Sequence, residues 1–325
     1  MKHKSINLIL VTNMLLLLTY GTWAMDKSNI VSVSRVTVPN FMAGASPDKQ
    51  LFFTTVRIEA SNGTNRSVGT GSLFDYQWNW RGSSNKVHGT FLVSNAHVID
   101  GYPSGKITFI KRKADSDEPK LGETMEFTMS NWTPLWHRHS KADLVVMPLA
   151  PLLNVITNDS LRPYFRLIDR AISACGDEQR KLRAMEQVIF IGYPSALFDS
   201  KNFLPLARRG YTASPLGVDY ENEKKFVVDA AVFPGSSGSP VFVYDQGAFL
   251  GDAGEPLYGQ RAKFVGIITS MYYRNEKGRI MLREVPTAFE PYSITKQPLN
   301  LGVVLKADLV YETIEQLLRR NGDLK

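Results

Sequence analysis

Residues 233–242 read FPGSSGSPVF, two glycines and three serines in a turn that runs straight into an apolar strand. Turn chemistry alone accounts for Gly, Ser and Pro at such a place. A second reading makes Ser237 a nucleophile, with Gly235 letting the backbone fold so that two N–H groups aim at one point. That reading requires a histidine and a carboxylate elsewhere in the chain.

The surrounding sequence is mostly strand and turn. LFFTTVRIEA, VGTGSLFDYQW, GTFLVSNAHVI, KITFIKRK and DLVVMPLA are short β-branched and aromatic runs cut by Gly, Asn and Ser, the pattern of an antiparallel barrel. The pattern resumes with QVIFIGYP, RRGYTASPLG, KFVVDAAV, SPVFVYD and KFVGIITSMYY. Between the halves, Leu161, Phe165, Ile168, Ile172 and Cys175 recur at helical spacing and Gly176 supplies a stop, which predicts a helical connection over residues 151–186. The end of the chain, LKADLVYETIEQLLRRNG, places Val310, Ile314 and Leu317 on one face and predicts a helix closing the second half.

Composition bounds the function. With 325 residues, 43% of them hydrophobic and 21% charged, the chain can bury two modest cores. The formal charge of +7 comes from basic residues in short scattered groups such as Lys111-Arg112-Lys113 and Arg208-Arg209, a solvated surface rather than a nucleic-acid-binding stripe. The first residues carry Lys2 and Lys4, an apolar run from Ile6 to Tyr20 and small residues ending at Ala24, the layout of a secretory signal peptide over residues 1–24. The competing reading is a retained anchor, but Asn7 and Asn13 interrupt the run and it is short for a spanning helix. Export to a bacterial periplasm or the exterior is therefore expected, with no stable membrane anchor after cleavage. Residues 25–50 read as an N-terminal arm or propeptide. Cys175 is the lone cysteine, so no intramolecular disulfide is possible, and its apolar setting marks it as a small buried hydrophobe.

Of the five histidines, His97 is delivered by FLVSNAHVID at the end of an apolar strand, on a small-residue turn that can open into a cleft. A neutral imidazole there can accept a proton from a serine hydroxyl. His137 and His139 form an HRH pair with no third ligand in an obvious pattern, so a surface loop is expected there and no metal. For the carboxylate, Asp143 comes directly before the apolar strand of SKADLVVMPLA, at a strand mouth where a partly buried acid needs a donor. Its plainer role is a strand-entry cap.

SNAHVID, ADLVVMPL and PGSSGSPVF, in the order His, Asp, Ser and separated by 46 and 94 residues, together resemble the trypsin-like (chymotrypsin-fold) serine peptidases, especially the bacterial branch that includes the glutamyl endopeptidases. GTGSLF and VGIITS extend the resemblance, which covers roughly Leu51 to Leu318. It implies an all-β fold of two antiparallel six-stranded β-barrels, the first over residues 51–150 with His97 and Asp143, the second over 187–325 with Ser237 and the C-terminal helix. It also implies an acyl-enzyme mechanism on protein or peptide substrates, without cofactor. Ser237 would attack, His97 would move the proton, Asp143 would orient the imidazole, and the N–H groups of Gly235 and Ser237 would form the oxyanion hole.

Two departures matter. Digestive members carry an Asp before the nucleophile that pairs with a new N-terminus; here it is Ser236. The cysteine that follows the histidine in disulfide-bonded members is Val98. At the base of the primary pocket the resemblance places Ala231, with Val232 beside it, and Ile268 where glutamyl endopeptidases use a histidine. Neither a basic nor an acidic preference is supported, so cleavage after apolar residues is expected, with substrate backbone pairing along Thr269, Ser270 and Met271. A catalytically inactive relative that binds peptides is the alternative; it would keep the barrels and lose one of the three residues, whereas all three are present.

Overall fold

The computed structural model describes residues 6–9, 46–156, 162–194, 197–251, 254–279 and 292–325. The expected signal peptide and arm lie outside these, apart from Ile6–Ile9 and the residues from Ser46 onward. The described residues form fifteen strands: β1 (Ile6–Ile9), β2 (Thr55–Ser61), β3 (Arg66–Asn79), β4 (Lys86–Ser94), β5 (Ser104–Arg112), β6 (Pro119–Met129), β7 (His137–Arg138), β8 (Val145–Pro148), β9 (Pro163–Tyr164), β10 (Gln187–Gly192), β11 (Leu206–Thr212), β12 (Lys225–Asp229), β13 (Pro240–Leu250), β14 (Pro256–Arg279) and β15 (Tyr292–Lys306). The helices are α1 (Pro47–Leu51), α2 (Ala96–Ile99), α3 (Ala150–Asn154), α4 (Asp177–Lys181) and α5 (Ala307–Arg320). None among the described residues is long and apolar enough to cross a membrane.

The second half closes into a six-stranded barrel, β10-β11-β12-β15-β14-β13. The first half differs from the expected six-stranded barrel: it is a nine-stranded sheet in the order β1-β6-β5-β2-β3-β4-β8-β7, with β9 on β5. Its two ends do not pair. β8 is only four residues long and has its outer edge occupied by the two-residue β7, while the outer edge of β6 is occupied by β1, so β6 and β8 do not meet.

The expected helical connection is also not observed. Among the described residues only the short α3 and α4 are helical there, and residues 162–175 run between the sheets with their backbone groups given to both. Ile168 N–H donates to Leu73 and receives Asp75 N–H at its carbonyl; Ala174 N–H donates to Phe264, whose N–H returns to Ile172. An extended segment gripped from two sides can bury residues three or four apart without being a helix: Phe165 joins the first-half core, whereas Ile168, Ile172 and Cys175 join the core between the halves. Tertiary hydrogen bonding overrides local periodicity here.

The inter-sheet core holds Phe74, Phe91, Phe242, Phe264 and the inner face of α5. Phe74 of β3 meets Phe264 of β14 edge-on, with ring centroids 5.1 Å apart, a contact worth about 0.5–1.5 kcal/mol beyond area burial. Val310, Ile314 and Leu317 are buried as the helical spacing predicted. The helix is not confined to the second half, however. Tyr311 packs on Phe74, and Glu315 accepts a 2.7 Å hydrogen bond from the Tyr76 hydroxyl, both partners on β3. The sheets are thus fixed to one another, and the turns that carry His97, Asp143 and Ser237 come together.

Candidate active site

Three turns deliver the three residues singled out in the sequence. His97 sits in α2, which starts as soon as β4 ends; the neighbouring Ala96, Val98 and Ile99 are buried and turn the imidazole outward, with half its side chain exposed. Asp143 ends the turn before β8, and its main chain is tied to α2 by the Asn95 amide, which donates to the Asp143 carbonyl at 2.7 Å. Ser237 lies in the turn between β12 and β13, where Gly235 and Gly238 both have φ of +87°. This left-handed backbone is the reason for the glycines in FPGSSGSPVF.

The side chains form one continuous hydrogen-bonded chain. His97 Nε2 lies 2.8 Å from Ser237 Oγ, and His97 Nδ1 lies 2.6 Å from Asp143 Oδ2. The other carboxylate oxygen accepts the backbone N–H of His97 at 3.1 Å, and Oδ2 also accepts the Thr269 hydroxyl at 2.8 Å. Burial pushes the Asp143 pKa up, but the hydrogen bonds and charge of His97 and the Thr269 hydroxyl outweigh it and hold the carboxyl below its ordinary range. An ionised Asp143 fixes the imidazole proton on Nδ1, leaving Nε2 as the acceptor facing Ser237. The backbone N–H groups of Gly235 and Ser237 have no acceptor among the described residues, so both are available to a developing oxyanion.

The turn that carries Ser237 is held by residues the sequence reading did not single out. Thr70, fully buried on β3, donates its N–H to Ser237 O at 2.9 Å and its hydroxyl to Gly235 O at 3.1 Å. The same hydroxyl accepts Tyr193 N–H at 3.1 Å and Ser239 O–H at 3.3 Å, so its one proton and two lone pairs are all used. Ser72 Oγ donates to Gly238 O, and Ser94 Oγ to Thr70 O. The available signal was the run of small hydroxyl residues in the glycine-rich GTGS. A Cβ on Gly238 would run into the Thr70 carbonyl oxygen and Ser94 Oγ. Gly238→Ala is accordingly expected to cost more than about 3 kcal/mol, measured by urea unfolding; a loss below 1 kcal/mol would show that the turn relaxes freely.

The expected pocket residues are placed less uniformly. Ser270 and Ala231 are exposed and Met271 half-buried, while Thr269 is nearly covered. Val232 is buried against Gly302, where an added Cβ would come within 2.5 Å of its Cγ2. Ile268 is fully buried in the barrel core and presents no surface at the cleft. A residue not foreseen, Arg208, donates to the Ala231 carbonyl and lies over the Phe233 ring, 4.7 Å from its centroid. No carboxylate among the described residues pairs with it. The HRH segment is not the expected surface loop: His139 is 3% exposed.

A serine, a histidine and a carboxylate in hydrogen-bonded series, brought together by turns of two β-sheets, form the arrangement used by serine hydrolases. The family model described as a trypsin-like peptidase domain matches residues 69–251, more than half of the chain, and the chain belongs to that family. The search of curated proteins gave no match. Among solved structures the chain is similar to the serine endoprotease from Yersinia pestis (14% identity, TM-score 0.43, covering 85% of this chain and 68% of that one). It is similar also to tobacco etch virus protease complexed with product (12%, 0.40, 70% and 72%) and to a scabies mite inactivated protease paralogue (13%, 0.41, 85% and 99%).

Proposed function

We propose that this chain is an exported serine endopeptidase, periplasmic or extracellular, that cleaves protein or peptide substrates through an acyl-enzyme. The observation that carries the reading is the unbroken series Asp143–His97–Ser237, with 2.6 and 2.8 Å links, beside two backbone N–H groups, of Gly235 and Ser237, that have no acceptor among the described residues. Ser237 Oγ attacks the substrate carbonyl as His97 Nε2 takes its proton; the same proton then goes to the leaving amine, and a water repeats the sequence to release the acid. Asp143 stabilises the imidazolium and stays ionised. The Gly235 and Ser237 N–H groups stabilise the oxyanion, a contribution of about 2.7–4 kcal/mol for one donor in comparable sites. Location rests on the signal-peptide layout of the N-terminal sequence.

A fluorophosphonate probe should label Ser237 of the purified protein and the label should vanish in Ser237→Ala; a wild-type protein that does not label is a peptide-binding relative rather than an enzyme. For specificity, the partly exposed Met271 and the closed, apolar Val232–Gly302 wall favour a small or medium apolar residue before the scissile bond, since burying one stabilises the complex by about 1.5–3 kcal/mol. Cut sites in a proteome-derived peptide library should show that preference. A strict requirement for an acidic residue would instead assign recognition to Arg208.

A further inference from the structure

His139, four residues before Asp143, is chemically conspicuous because it is buried, titratable and outside the hydrogen-bonded series of the site. Its ring Nδ1 accepts two backbone N–H groups of the turn that follows, from Ala142 at 2.7 Å and from Lys141 at 3.1 Å. Its own N–H donates to Leu144 O at 2.9 Å. The His139 ring therefore holds the first half of the turn that carries Asp143, and the His139 main chain holds its far end. A nitrogen that accepts two N–H groups carries no proton, so the ring is neutral with its hydrogen on Nε2.

The Nε2 side faces the C-terminal helix. Glu312 Oε1 lies 3.5 Å away, long for a hydrogen bond, and Glu312 Oε2 pairs with Lys224 at 3.1 Å. One turn further along α5, Gln316 accepts the Ser140 N–H at 3.1 Å and donates to Ser140 Oγ at 3.3 Å. The Asp143 turn is thus pinned from inside by His139 and from outside by α5. The charged and titratable groups around the ring are Glu312 on α5, Lys224 ahead of β12, and Lys141 and His137 on its own segment, with Arg320 of α5 beside His137.

We propose that His139 is a positioning residue for Asp143: neutral, it locks the 139–144 turn against the C-terminal helix, and on protonation it releases the turn and with it the orientation of His97. This rests on the serine-peptidase reading above. A proton on Nδ1 turns an acceptor into a donor facing two N–H groups, on a side chain that is buried. Burial lowers the His139 pKa, and Lys224 and Lys141 act in the same sense, against the opposing carboxylate of Glu312. With the folded value lowered, the penalty is absent above the ordinary imidazole value of about 6.5 and grows as pH falls below it. Activity should therefore fall on the acid side with one proton more than general-base catalysis alone requires, the extra proton going to His139.

The test compares wild type, His139→Asn and His139→Leu, with kcat and KM measured separately across pH. The Asn side-chain oxygen can accept the same two N–H groups and does not titrate in this range. His139→Asn should keep kcat within about threefold at pH 8 and lose the second proton from its acid limb, whereas His139→Leu should lose about 10²-fold in kcat with little change in KM, the scale of a small misplacement of a reacting group. Wild-type kcat and pH profile in His139→Leu, or a two-proton acid limb retained by His139→Asn, would overturn the proposal. Proton NMR of the His97 Nδ1–H supplies a readout independent of hydrolysis: its low-field resonance should persist in wild type and His139→Asn and broaden in His139→Leu, or in wild type on acidification. A resonance that behaves this way in a protein without turnover would sink the peptidase reading and leave the positioning role standing; a resonance indifferent to residue 139 would do the reverse. If His139→Leu does not fold, His139→Asn and the wild-type acid titration decide alone.

Discussion

Ser237→Ala is expected to lower kcat by about 10⁶-fold while leaving the fold and KM nearly unchanged. The side chain being removed makes only two polar contacts, with His97 Nε2 at 2.8 Å and a long one to Thr269 O at 3.4 Å. The turn itself is held by backbone and by Thr70, Ser72 and Ser94, none of which touches the Ser237 hydroxyl. His97→Ala should be of similar size, and the double variant should be scarcely worse than either single one, because nucleophile and base act as a unit. Residual turnover would come from the two oxyanion donors and substrate binding. Steady-state kinetics on purified variants, with melting temperatures as the control for folding, checks this. Turnover of Ser237→Ala above 1% of wild type would place the nucleophile elsewhere.

The parts of the molecule that were legible in the sequence are those where local chemistry and tertiary structure agree. Most strands of both sheets alternate or run apolar between turn residues. The glycines of FPGSSGSPVF are required by a φ of +87° at Gly235 and Gly238, and such a requirement is local. His97 could be found because a polar residue at the end of an apolar strand has few places to go except a cleft. Asp143 could be found for the same reason at the start of another.

What could not be read was set by contacts distant in sequence. Residues 162–175 carry helical spacing, yet their backbone hydrogen bonds go to β3 and β14, and no local pattern announces a segment shared by two sheets. β6 escaped notice because PKLGETMEFTM is rich in charge; its apolar members Met125, Phe127 and Met129 are buried in strict alternation, while Glu126 pairs with Lys106 across the strand. His139 sits in HRHSKAD, polar throughout, and its burial is imposed by α5 arriving from the far end of the chain. Ile268 illustrates the opposite error: position along a familiar strand was read as access to a pocket, and packing into the barrel core decided otherwise.

Asp143→Asn is expected to cost about 10⁴-fold in kcat, and the hydrogen-bond inventory says by which route. Asp143 takes three donors: His97 N–H on Oδ1, and His97 Nδ1–H with the Thr269 hydroxyl on Oδ2. An amide has one acceptor oxygen and one NH₂, so one of these places must receive a donor. The backbone N–H of His97 cannot reverse, whereas an imidazole can change tautomer and a hydroxyl can rotate. The NH₂ therefore settles at the Oδ2 position, Nδ1 becomes the acceptor, and the ring hydrogen moves to Nε2, where it points at Ser237 and leaves no base. Stability should depend on pH through the same carboxyl. A carboxyl held below its ordinary value stabilises the fold above about pH 4 and loses that contribution as pH falls through the lowered value. The gap in urea midpoint between wild type and Asp143→Asn should accordingly be widest near neutrality and narrow in acid. A variant that keeps kcat within tenfold of wild type, or a stability gap that widens in acid, would show that the carboxylate does not set the tautomer of His97.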